Sequence, residues 1–540
     1  MRAMAADLRS ATGSNRVHHG DFAPGAGLAT MTPAETSMSY WADDMVAGLP
    51  PREDGQVLAT GISPSGDIHL GNLREVMTAD GVYRVLGEKG LPARLLFIAD
   101  NLDPLRRVYP FLEESIYEPL VGQSLSSIPC PCGLHASYGD HFLTPFLQAL
   151  QDLGVAAETV RADDLYASGA MNEVIGQALV GRDTIAGILT ELTGKEVAAE
   201  WSPFDARCSS CRRLTHTAVT GFDLAARTVA YRCACGQEGT VPFAGGGKLT
   251  WRVDWPGRWQ ALGVTMEPFG KDHASRGGSY DTGVRIAREV FAYEPPHPIP
   301  YEWIALRGKG DMSSSKGNVL SIHGMLEVVP PQLLRYMVLR AEPQRAIRFD
   351  PGLALLALMD ELENPANKNR NERAVDLAQL PGRAMLAIPF RQLVTMAQIG
   401  DFDAERTVSV LRRVGVEVAD QELLSRYLEY VRCWLDRFAP EDVRFALAPE
   451  LPAVASGLDG AQQAFLGELA RRLPDNIGGE ELHTLIYALI QELGGEKPAP
   501  YFAAIYLAFI GKERGPRAGH FLAALPSDFV RRRLQEASGG

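Results

Sequence analysis

Apolar and polar positions near the front of the chain predict a strand, a turn and a helix in succession. Residues 56–60 form a short apolar run typical of a buried strand, and residues 73–86 place apolar side chains at helical spacing. The turn between them carries Gly61, Gly66 and Gly71, which let an anion approach the main chain closely. Because this turn leads into the positive end of a helix, the pattern predicts a polyphosphate site, with an ordinary capping turn as the alternative.

The same pattern predicts a doubly wound α/β fold for the first part of the chain. Residues 94–99 are expected to form a second parallel strand, followed at about residues 103–245 by an insertion of mixed segments. The sheet is expected to resume near residues 249–253, with a helix at 282–291 and a strand at 301–306. The resulting domain, residues 40–345, would hold its ligands at the carboxyl ends of the strands.

The two ends of the chain differ from this part. Beyond about residue 345, amphipathic repeats such as Leu424, Leu428 and Val431 predict an α-helical domain over residues 346–540. Residues 1–39 are rich in Ala, Gly, Ser and Thr and lack the continuous apolar segment of a secretory signal. We expect them to form a disordered extension, with Met31 as an alternative initiator.

Composition narrows the class of protein. The 540 residues are 46% hydrophobic, without the run of about eighteen apolar residues that spans a membrane, so the sequence predicts a soluble, cytoplasmic protein. The net charge of −13 argues against a general affinity for nucleic acid. Arginine-rich stretches, such as residues 406–413 and 512–517, can still provide local phosphate contacts or can be solvated helix faces. The sequence leaves the oligomeric state open.

Lysine usage points to a second functional loop. Of the 53 basic residues nine are lysines, yet Lys248, Lys271, Lys309 and Lys316 fall within one stretch of the chain. The loop at residues 311–317 joins Lys316 to three consecutive serines, a combination that suits the outer phosphates of ATP. A solvated linker is the alternative interpretation of this loop.

Six of the seven cysteines fall in close pairs, which suggests metal sites in a chain without an export signal. Cys208 and Cys211 are separated by a predicted strand from Cys233 and Cys235, as in a zinc ribbon with four thiolate ligands. A second candidate cluster contains Cys130, Cys132, His135 and His141. Reduced, partly buried thiols, and packing or capping roles for the two histidines, are the alternatives.

The two loops resemble the HIGH and KMSKS signatures of class I aminoacyl-tRNA synthetases. The first is matched by residues 69–72 and the second by residues 312–316. Residues 245–256, 267–273, 278–283 and 300–303 further resemble the class I, archaeal-type lysyl-tRNA synthetases, over essentially all of residues 40–540. Two positions depart from the second signature, where Asp311 and Ser314 replace the usual residues. The phosphate-contacting role therefore falls on Lys316 or Lys309, and this choice stays open.

The resemblance implies a Rossmann-type nucleotide-binding domain with a zinc-binding insertion and an all-α anticodon-binding domain. It implies activation of L-lysine with ATP and Mg²⁺ and transfer of lysine to its tRNA, with His69, Lys316 and Lys309 as the catalytic residues. Zn²⁺ is expected at one structural site and as an option at the second. In the family the second knot uses a ligand where this chain has Leu134, so Cys132 is expected to replace it.

The resemblance also implies the substrate contacts. Lysine is expected to touch Gly61, Ser63, Trp251, His273 and Tyr301, and the chemistry of a cationic side chain adds Glu302 as an acidic end to the pocket. Asp272 is expected to bridge the ATP ribose, with helix capping as the alternative. The remaining expected ATP contacts are Ser65, Gly66, His69, Gly71, Asn72, Met312, Ser313, Ser314, Ser315 and Lys316.

Three other functions remain open from the sequence. The first is a class I synthetase for another amino acid, such as glutamate, arginine or cysteine. The second is a small-molecule nucleotidyltransferase with the same ATP loops, which would not need about 200 helical residues at its C-terminus. The third is a non-catalytic zinc-ribbon RNA-binding protein, which His69 and Lys316 argue against.

Overall fold

A parallel sheet built from apolar runs provides the framework for the first part of the chain. The computed structural model describes residues 40–308, 310–311 and 320–539, and the predicted extension at residues 1–39 lies outside them. The strands are β1 (Gln56–Ile62), β2 (Ala93–Ala99), β3 (Glu158–Arg161), β4 (Phe204–Ala206), β5 (Thr217–Asp223), β6 (Thr228–Cys233), β7 (Glu238–Pro242), β8 (Gly247–Leu249), β9 (Met266–Gly270), β10 (His297–Tyr301), β11 (Ile304–Leu306), β12 (Gly310–Asp311) and β13 (Ile347–Phe349).

Helices cover both faces of this sheet and continue to the end of the chain. Those before residue 345 are α1 (Trp41–Ala47), α2 (Leu73–Glu88), α3 (Glu114–Tyr117), α4 (Tyr138–Asp152), α5 (Ala162–Ala167), α6 (Asn172–Val180), α7 (Arg182–Thr193), α8 (Trp251–Leu262), α9 (Ser279–Glu289), α10 (Ile322–Leu326) and α11 (Pro331–Leu339). The later ones are α12 (Leu353–Glu363), α13 (Glu372–Ala378), α14 (Phe390–Ile399), α15 (Ala404–Arg413), α16 (Gln421–Arg437), α17 (Gly460–Arg472), α18 (Gly479–Glu492), α19 (Ala499–Ile510), α20 (Ala518–Ala523) and α21 (Ser527–Ala537).

The central sheet has the order β10-β9-β1-β2-β3, and each of its pairings is parallel. The chain therefore runs outward from β1 through β2 to β3 and then crosses to β9 and β10 on the other side. This is the order of a doubly wound sheet, whose ligand crevice opens at the carboxyl ends of the strands on either side of the reversal. The predicted strands at 56–60 and 94–99 and the helix at 73–86 are confirmed.

Two of the predicted strands are wrong. The segment at 249–253 does not rejoin the sheet, because β8 pairs with β4 in antiparallel fashion and Trp251 already begins α8. Trp251, Trp255 and Trp259 are spaced by four residues, which is the repeat of one helix face. The predicted strand at 301–306 is broken after Tyr301, and its second half, β11, joins a separate sheet with β12 and β13.

The segment between β3 and β9 has a core of its own. Strands β5, β6 and β7 form an antiparallel ribbon, and Val229, Tyr231 and Phe243 of this region pack in one buried cluster with Ile175 and Leu179 of α6. Strand β6 alternates buried and less buried positions along its length, as expected when one face of a ribbon is covered. The ribbon is thus attached to the preceding helices through its apolar face.

Helices dominate the described residues after β13. Five of them, α17 to α21, share a buried cluster that includes Phe465, Leu469, Ile486 and Phe509. Apolar side chains at helical spacing form one buried face on α16 and one on α18, as the sequence pattern predicts. Among the described residues, no helix combines enough length with enough apolar character to cross a membrane.

Buried arginines fasten α2 to the helices around it. The Arg74 guanidinium of α2 donates to the carbonyl oxygens of Val338, at 3.1 Å, and Glu342, at 2.6 Å, beyond the end of α11. From the other side, Arg335 of α11 donates to Asp80 of α2 at 2.7 Å. Cations near the carbonyl end of a helix are favourable, and these side chains are fully buried. The position of α2, which carries the first loop, is therefore fixed from both sides.

We expect Arg335→Ala to destabilise the fold strongly. The substitution leaves Asp80, whose side chain is 2% exposed, with the partly exposed Arg84 as its remaining cation partner, and it removes the donor to the carbonyl oxygens of Leu153 and Leu377. The loss of this buried cation should cost about 3 kcal/mol. Urea denaturation would measure the change in free energy of unfolding. The matched control is Arg94→Ala, because the Arg94–Glu158 pair is 57% and 58% exposed and should cost about 1 kcal/mol or less. Equal losses for the two variants would contradict this account.

Candidate active site

His69 lies in the loop that joins β1 to α2, with its ring held in one orientation. Its Nδ1 accepts a hydrogen bond from the Gly71 amide at 3.1 Å, while its own amide donates to Asn72 Oδ1 at 3.1 Å. Burial lowers the pKa of the imidazole, which favours the neutral ring. Because Nδ1 accepts, the neutral ring carries its proton on Nε2. His69 can therefore donate one hydrogen bond to a ligand oxygen.

The rest of the first loop is ordered by neighbouring elements. Tyr138 of α4 donates through its hydroxyl to the Ser65 carbonyl oxygen at 2.8 Å. The amides at the start of α2 are partly used within the turn, since the Leu73 amide donates to Leu70 and the Arg74 amide to Gly71. Fewer helix N–H groups are thus available to an anion than the turn pattern alone predicts.

The residues just after the second predicted loop contact the first loop. Lys309, Met312, Ser313, Ser314, Ser315 and Lys316 lie outside the described residues. The residues that follow them lie beside the histidine, because the Leu70 amide donates to the Leu320 carbonyl oxygen at 2.8 Å and His69 forms an isolated bridge with Ser321. Ser321 then caps α10 by accepting from the Gly324 amide at 3.0 Å. The described residues that follow the second predicted loop therefore lie beside the first loop.

A cavity of about 320 Å³ opens at the carboxyl ends of β1, β2 and β9. Such a volume is within the range of roughly 300–1,000 Å³ found for small-molecule sites. The cavity lies where the strand order reverses. Its lining includes the predicted residues Gly61, Ser63, Trp251 and His273 together with the unpredicted Glu75, Asp100, Trp255 and Glu267.

Glu75, in the first turn of α2, provides an acidic wall of this cavity. Its carboxylate accepts from the Gly61 amide at 2.8 Å and from the Tyr301 hydroxyl at 2.8 Å. Burial raises the pKa of Glu75 to about 7, with the two hydrogen bonds opposing the shift. Tyr301 thus contributes to the site through Glu75.

Glu302, predicted to be the acidic end of the pocket, lies on the other side of the chain from Tyr301 and pairs with Lys271. Successive residues in an extended chain point to opposite sides. Tyr301 therefore turns inward to Glu75, while Glu302 turns outward, where its carboxylate accepts from Lys271 Nζ at 2.6 Å. Glu302 is absent from the lining of the cavity.

A second buried carboxyl, Glu267, lies near the start of β9. Its two oxygens accept from the indole N–H groups of Trp255, at 2.9 Å, and Trp259, at 2.6 Å. Burial raises the pKa of Glu267 to about 8. Trp251 stacks on Trp255 with ring centres 5.4 Å apart, so α8 presents an aromatic wall to the cavity.

Asp272 and His273 follow β9 at the rim of the cavity. The Asp272 carboxylate lies 3.7 Å from His273 Nε2 and its side chain is 53% exposed, so it remains open to a ligand. The turn after β9 favours glycine at residue 270, because a Cβ at that position would come within 2.5 Å of Asp272 Oδ1. His273 packs beside Trp255 with ring centres 5.5 Å apart.

A buried charge cluster forms the floor behind the cavity. Lys248 Nζ, on β8, lies 2.7 Å from Asp100 Oδ1 and also contacts Asp103. Arg258 of α8 pairs with Asp100 at 3.0 Å and with Asp254 at 2.5 Å. Burial opposes the charge on Asp100, but Arg258 and Lys248 outweigh it and lower the pKa of this carboxyl. Lys248 is one of the four clustered lysines, and its role here is structural.

Both predicted cysteine clusters come together in the structure. The ligand atoms of Cys208, Cys211, Cys233 and Cys235 all lie within 4.8 Å of one another, as do those of Cys130, Cys132, His135 and His141. In the first set the Cys208–Cys235 and Cys211–Cys233 sulfur distances are both 3.6 Å. Four thiolates around zinc, at about 2.3 Å each, would have sulfurs roughly 3.8 Å apart. The donor atoms therefore fit this metal.

The second cluster has the same compactness but is closer to solvent. Cys132 Sγ lies 3.4 Å from His135 Nδ1 and 3.2 Å from His141 Nδ1. Burial would raise the pKa of the Cys130 thiol, but hydrogen bonds from Cys132 and from the His135 backbone outweigh it and lower the value to about 5. Leu134, at the position where the resembling family has a ligand, is 85% exposed.

A doubly wound sheet with a histidine loop at its switch point, and with an acidic, aromatic cavity beside it, defines an α/β nucleotide-binding enzyme. Comparison with known proteins narrows this class. The family model described as tRNA synthetases class I (K) matches residues 39–380. The chain belongs to this family, the class I lysyl-tRNA synthetases.

Several curated relatives are similar over nearly their whole length. A lysine–tRNA ligase of Methanosarcina barkeri (strain Fusaro) is 47% identical, covering 92% of this chain and 98% of that protein. One from Archaeoglobus fulgidus is 47% identical, covering 92% of this chain and 100% of that protein. A solved glutamate–tRNA ligase of Elizabethkingia meningosepticum covers 90% of this chain and 99% of its own at 13% identity with a TM-score of 0.40, a likeness too weak to carry weight.

We expect the stability of the fold to fall as the pH rises from about 4.5 to 7, partly because of Glu75. Its folded-state pKa of about 7 exceeds the ordinary value of 4.5, so the unfolded chain loses this proton first and gains relative stability over that interval. The shift corresponds to at most about 3 kcal/mol. Glu75→Gln can accept from the Gly61 amide through its oxygen and donate from its nitrogen to the Tyr301 hydroxyl, which reverses that second bond. The variant should flatten that part of the profile, measured by urea denaturation at several pH values. The exposed control Glu53→Gln should leave the profile unchanged, and an unchanged Glu75→Gln profile would refute the assignment.

Proposed function

We propose that this protein is a lysine–tRNA ligase. It activates L-lysine with ATP to give lysyl-adenylate and pyrophosphate and then transfers the lysyl group to the terminal ribose of lysine tRNA. The observation that carries this proposal, beside membership of the family, is the charge balance of the cavity. Glu75 and Glu267 both face it, and among the described residues neither has an ion-pair partner.

A cationic substrate would provide the positive charge that these two carboxyls lack. The donors to the two carboxyls are an amide, a hydroxyl and two indole N–H groups, all of them neutral. Buried carboxyls without a counter-charge take up protons, which is why the pKa of Glu75 and that of Glu267 are raised. A ligand that brings a positive charge is favoured because it lets such a carboxyl ionise beside it. The ammonium group of lysine has this charge, and its four-carbon stem suits the indole faces of Trp251 and Trp255. Gly61, Ser63 and His273 would contact the remainder of the amino acid.

ATP is assigned to the adjoining loops. Ser65, Gly66, Gly71 and Asn72 belong to the ordered turn around His69, and Asp272 is the exposed carboxylate on the opposite rim. Met312, Ser313, Ser314, Ser315 and Lys316, with Lys309 before them, are proposed to hold the outer phosphates together with Mg²⁺. The contact between Leu70 and Leu320 supports this, because Leu320 follows the second loop by three residues.

The chemical step needs positioning and charge stabilisation. The substrate carboxylate attacks the α-phosphate in line, and pyrophosphate leaves, without a covalent enzyme intermediate. His69 donates from Nε2 to a phosphate oxygen as negative charge develops there, and its lowered pKa keeps it a neutral donor. Lys316 or Lys309 and Mg²⁺ would neutralise charge on the departing pyrophosphate.

The other parts of the chain are assigned by the same proposal. Residues 40–345 form the catalytic domain, with the segment at about 103–245 as an inserted zinc-binding unit, and residues 346–540 form the α-helical domain that binds the anticodon of lysine tRNA. Residues 1–39 would be an extension to this arrangement. The enzyme would act in the cytoplasm, as translation requires.

Pyrophosphate exchange with each of the twenty amino acids tests the proposed reaction. We expect lysine-dependent exchange, and we expect His69→Ala to lower its kcat by about 10²–10³ because one donor to the transition state is lost. The matched control is His297→Ala, since His297 is exposed at the opposite end of the sheet. Exchange with another amino acid would refute the lysine pocket, and no exchange with or without tRNA would indicate a non-catalytic protein.

Zinc is expected to be structural in this enzyme. We propose that Cys208, Cys211, Cys233 and Cys235 hold one ion and that Cys130, Cys132, His135 and His141 hold a second, since each set provides four donors with no open position. Elemental analysis of purified protein should give about two zinc ions per chain, falling by about one for Cys208→Ser and for Cys132→Ser. The control is Cys433→Ser, because Cys433 is outside both clusters. Zinc content unchanged by both cluster variants would contradict the assignment.

A further inference from the structure

Glu267 joins a tryptophan that lines the cavity to one that does not. Trp255 lines the cavity, whereas Trp259 is absent from its lining and is 1% exposed. Trp259 is held from behind by α9, where a Cβ at Gly283 would come within 2.8 Å of its ring. The carboxyl of Glu267 accepts from both indoles and therefore links the ring that lines the cavity to the ring held behind it.

Trp255 is the centre of the aromatic wall. It stacks on Trp251 with ring centres 5.4 Å apart and planes 11° apart, and it meets Phe269 edge-on at 5.4 Å. Its ring also lies 5.5 Å from that of His273. A rotation of Trp255 would therefore displace the neighbouring rings that the amino acid is proposed to contact.

A carboxyl is the group that this position requires. Two N–H donors converge on it, and a carboxylate can accept from both, whereas a glutamine amide offers one acceptor and turns its own donor towards the other indole. An apolar residue would cost less to bury on this fully covered strand but would leave both indole N–H groups without an acceptor. The hydrogen bonds that Glu267 accepts from the two indoles therefore explain why an acid occupies this buried position.

We propose that Glu267 is a positioning residue for the amino-acid substrate, which fixes the Trp255 ring as the wall for the aliphatic stem. This inference rests on the proposed lysine-activating function. It divides the cavity into two roles. Glu75 recognises the charge at the end of the side chain, and Glu267 acts through Trp255 on the stem that precedes it.

Norleucine separates these roles, because it has the aliphatic stem of lysine without the ammonium group. We expect Glu267→Gln to raise the KM for lysine and the inhibition constant for norleucine by a similar factor, roughly tenfold, because one indole N–H loses its acceptor. The kcat for lysine-dependent pyrophosphate exchange should stay within about twofold. Glu75→Gln should weaken the binding of lysine much more than the binding of norleucine.

Two further variants test the route through the indole. In Trp255→Phe the link to Glu267 is already absent, so adding Glu267→Gln should raise the lysine KM little further. Trp259→Phe removes only the fixed end of the link, outside the cavity, and should also raise that KM. The control is Glu363→Gln, because Glu363 is a half-buried acid on α12 whose pKa is likewise raised by burial to about 8, and its lysine KM should equal that of wild type.

Each outcome decides the inference. Unchanged lysine and norleucine constants in a folded Glu267→Gln protein would overturn it, as would equal falls in kcat or additive effects with Trp255→Phe. If Glu267→Gln does not fold, Trp259→Phe decides in its place, and an unchanged lysine KM for that variant overturns the inference. Failure of the wild-type protein to exchange with lysine would instead overturn the proposed function.

Discussion

Compensation of buried charge is the constraint on which the catalytic half of the molecule depends. Lys248 reaches from β8 to Asp100 at the end of β2, and Arg258 of α8 joins the same carboxylate to Asp254. Removing one member would leave its partners charged in a region without solvent, which is far more costly than never having buried them. The cluster therefore holds three parts in one arrangement: the segment between β3 and β9 that contains the antiparallel ribbon, the central sheet, and α8. The tryptophans that line the cavity belong to α8, so the ion pairs that fix this helix also fix the positions of the tryptophans.

The strand order then explains why residues distant in the chain form one site. The first loop leaves β1 and the rim carrying Asp272 leaves β9, and these two strands are neighbours on opposite sides of the reversal. Their carboxyl ends diverge into helices on opposite faces, which opens a crevice between them. Glu75 and Glu267 enter this crevice from different sides, one from a helix and one from a strand. The order of the strands, rather than the flexibility of a loop, thereby brings together two side chains that are almost 200 residues apart in the chain.

Much of this arrangement could be predicted from the sequence, and the rest has identifiable causes. Strands β1 and β2 and helix α2 are strongly periodic, and the signature around His69 predicted a nucleotide site at the loop between β1 and α2. The strand predicted at 249–253 failed because its apolar run is too short to distinguish a strand from the first turn of a helix. Glu75 was overlooked because an acid in a first helical turn is usually explained by the helix dipole. Glu302 was chosen for its charge, although its direction depends on neighbours that only the fold provides.

The placement of α8 has an optical consequence. Three of the seven tryptophans lie on this helix, with successive ring centres 5.4 and 5.2 Å apart. Trp251, at its first turn, is 40% exposed at the cavity, whereas Trp259 is buried in the interior. Indoles in such contact share excitation energy, so a change in polarity at the exposed member alters the emission of the group. The enzyme thus contains an intrinsic fluorophore at the cavity proposed to bind its substrate, and occupancy of that cavity can be followed in unlabelled protein.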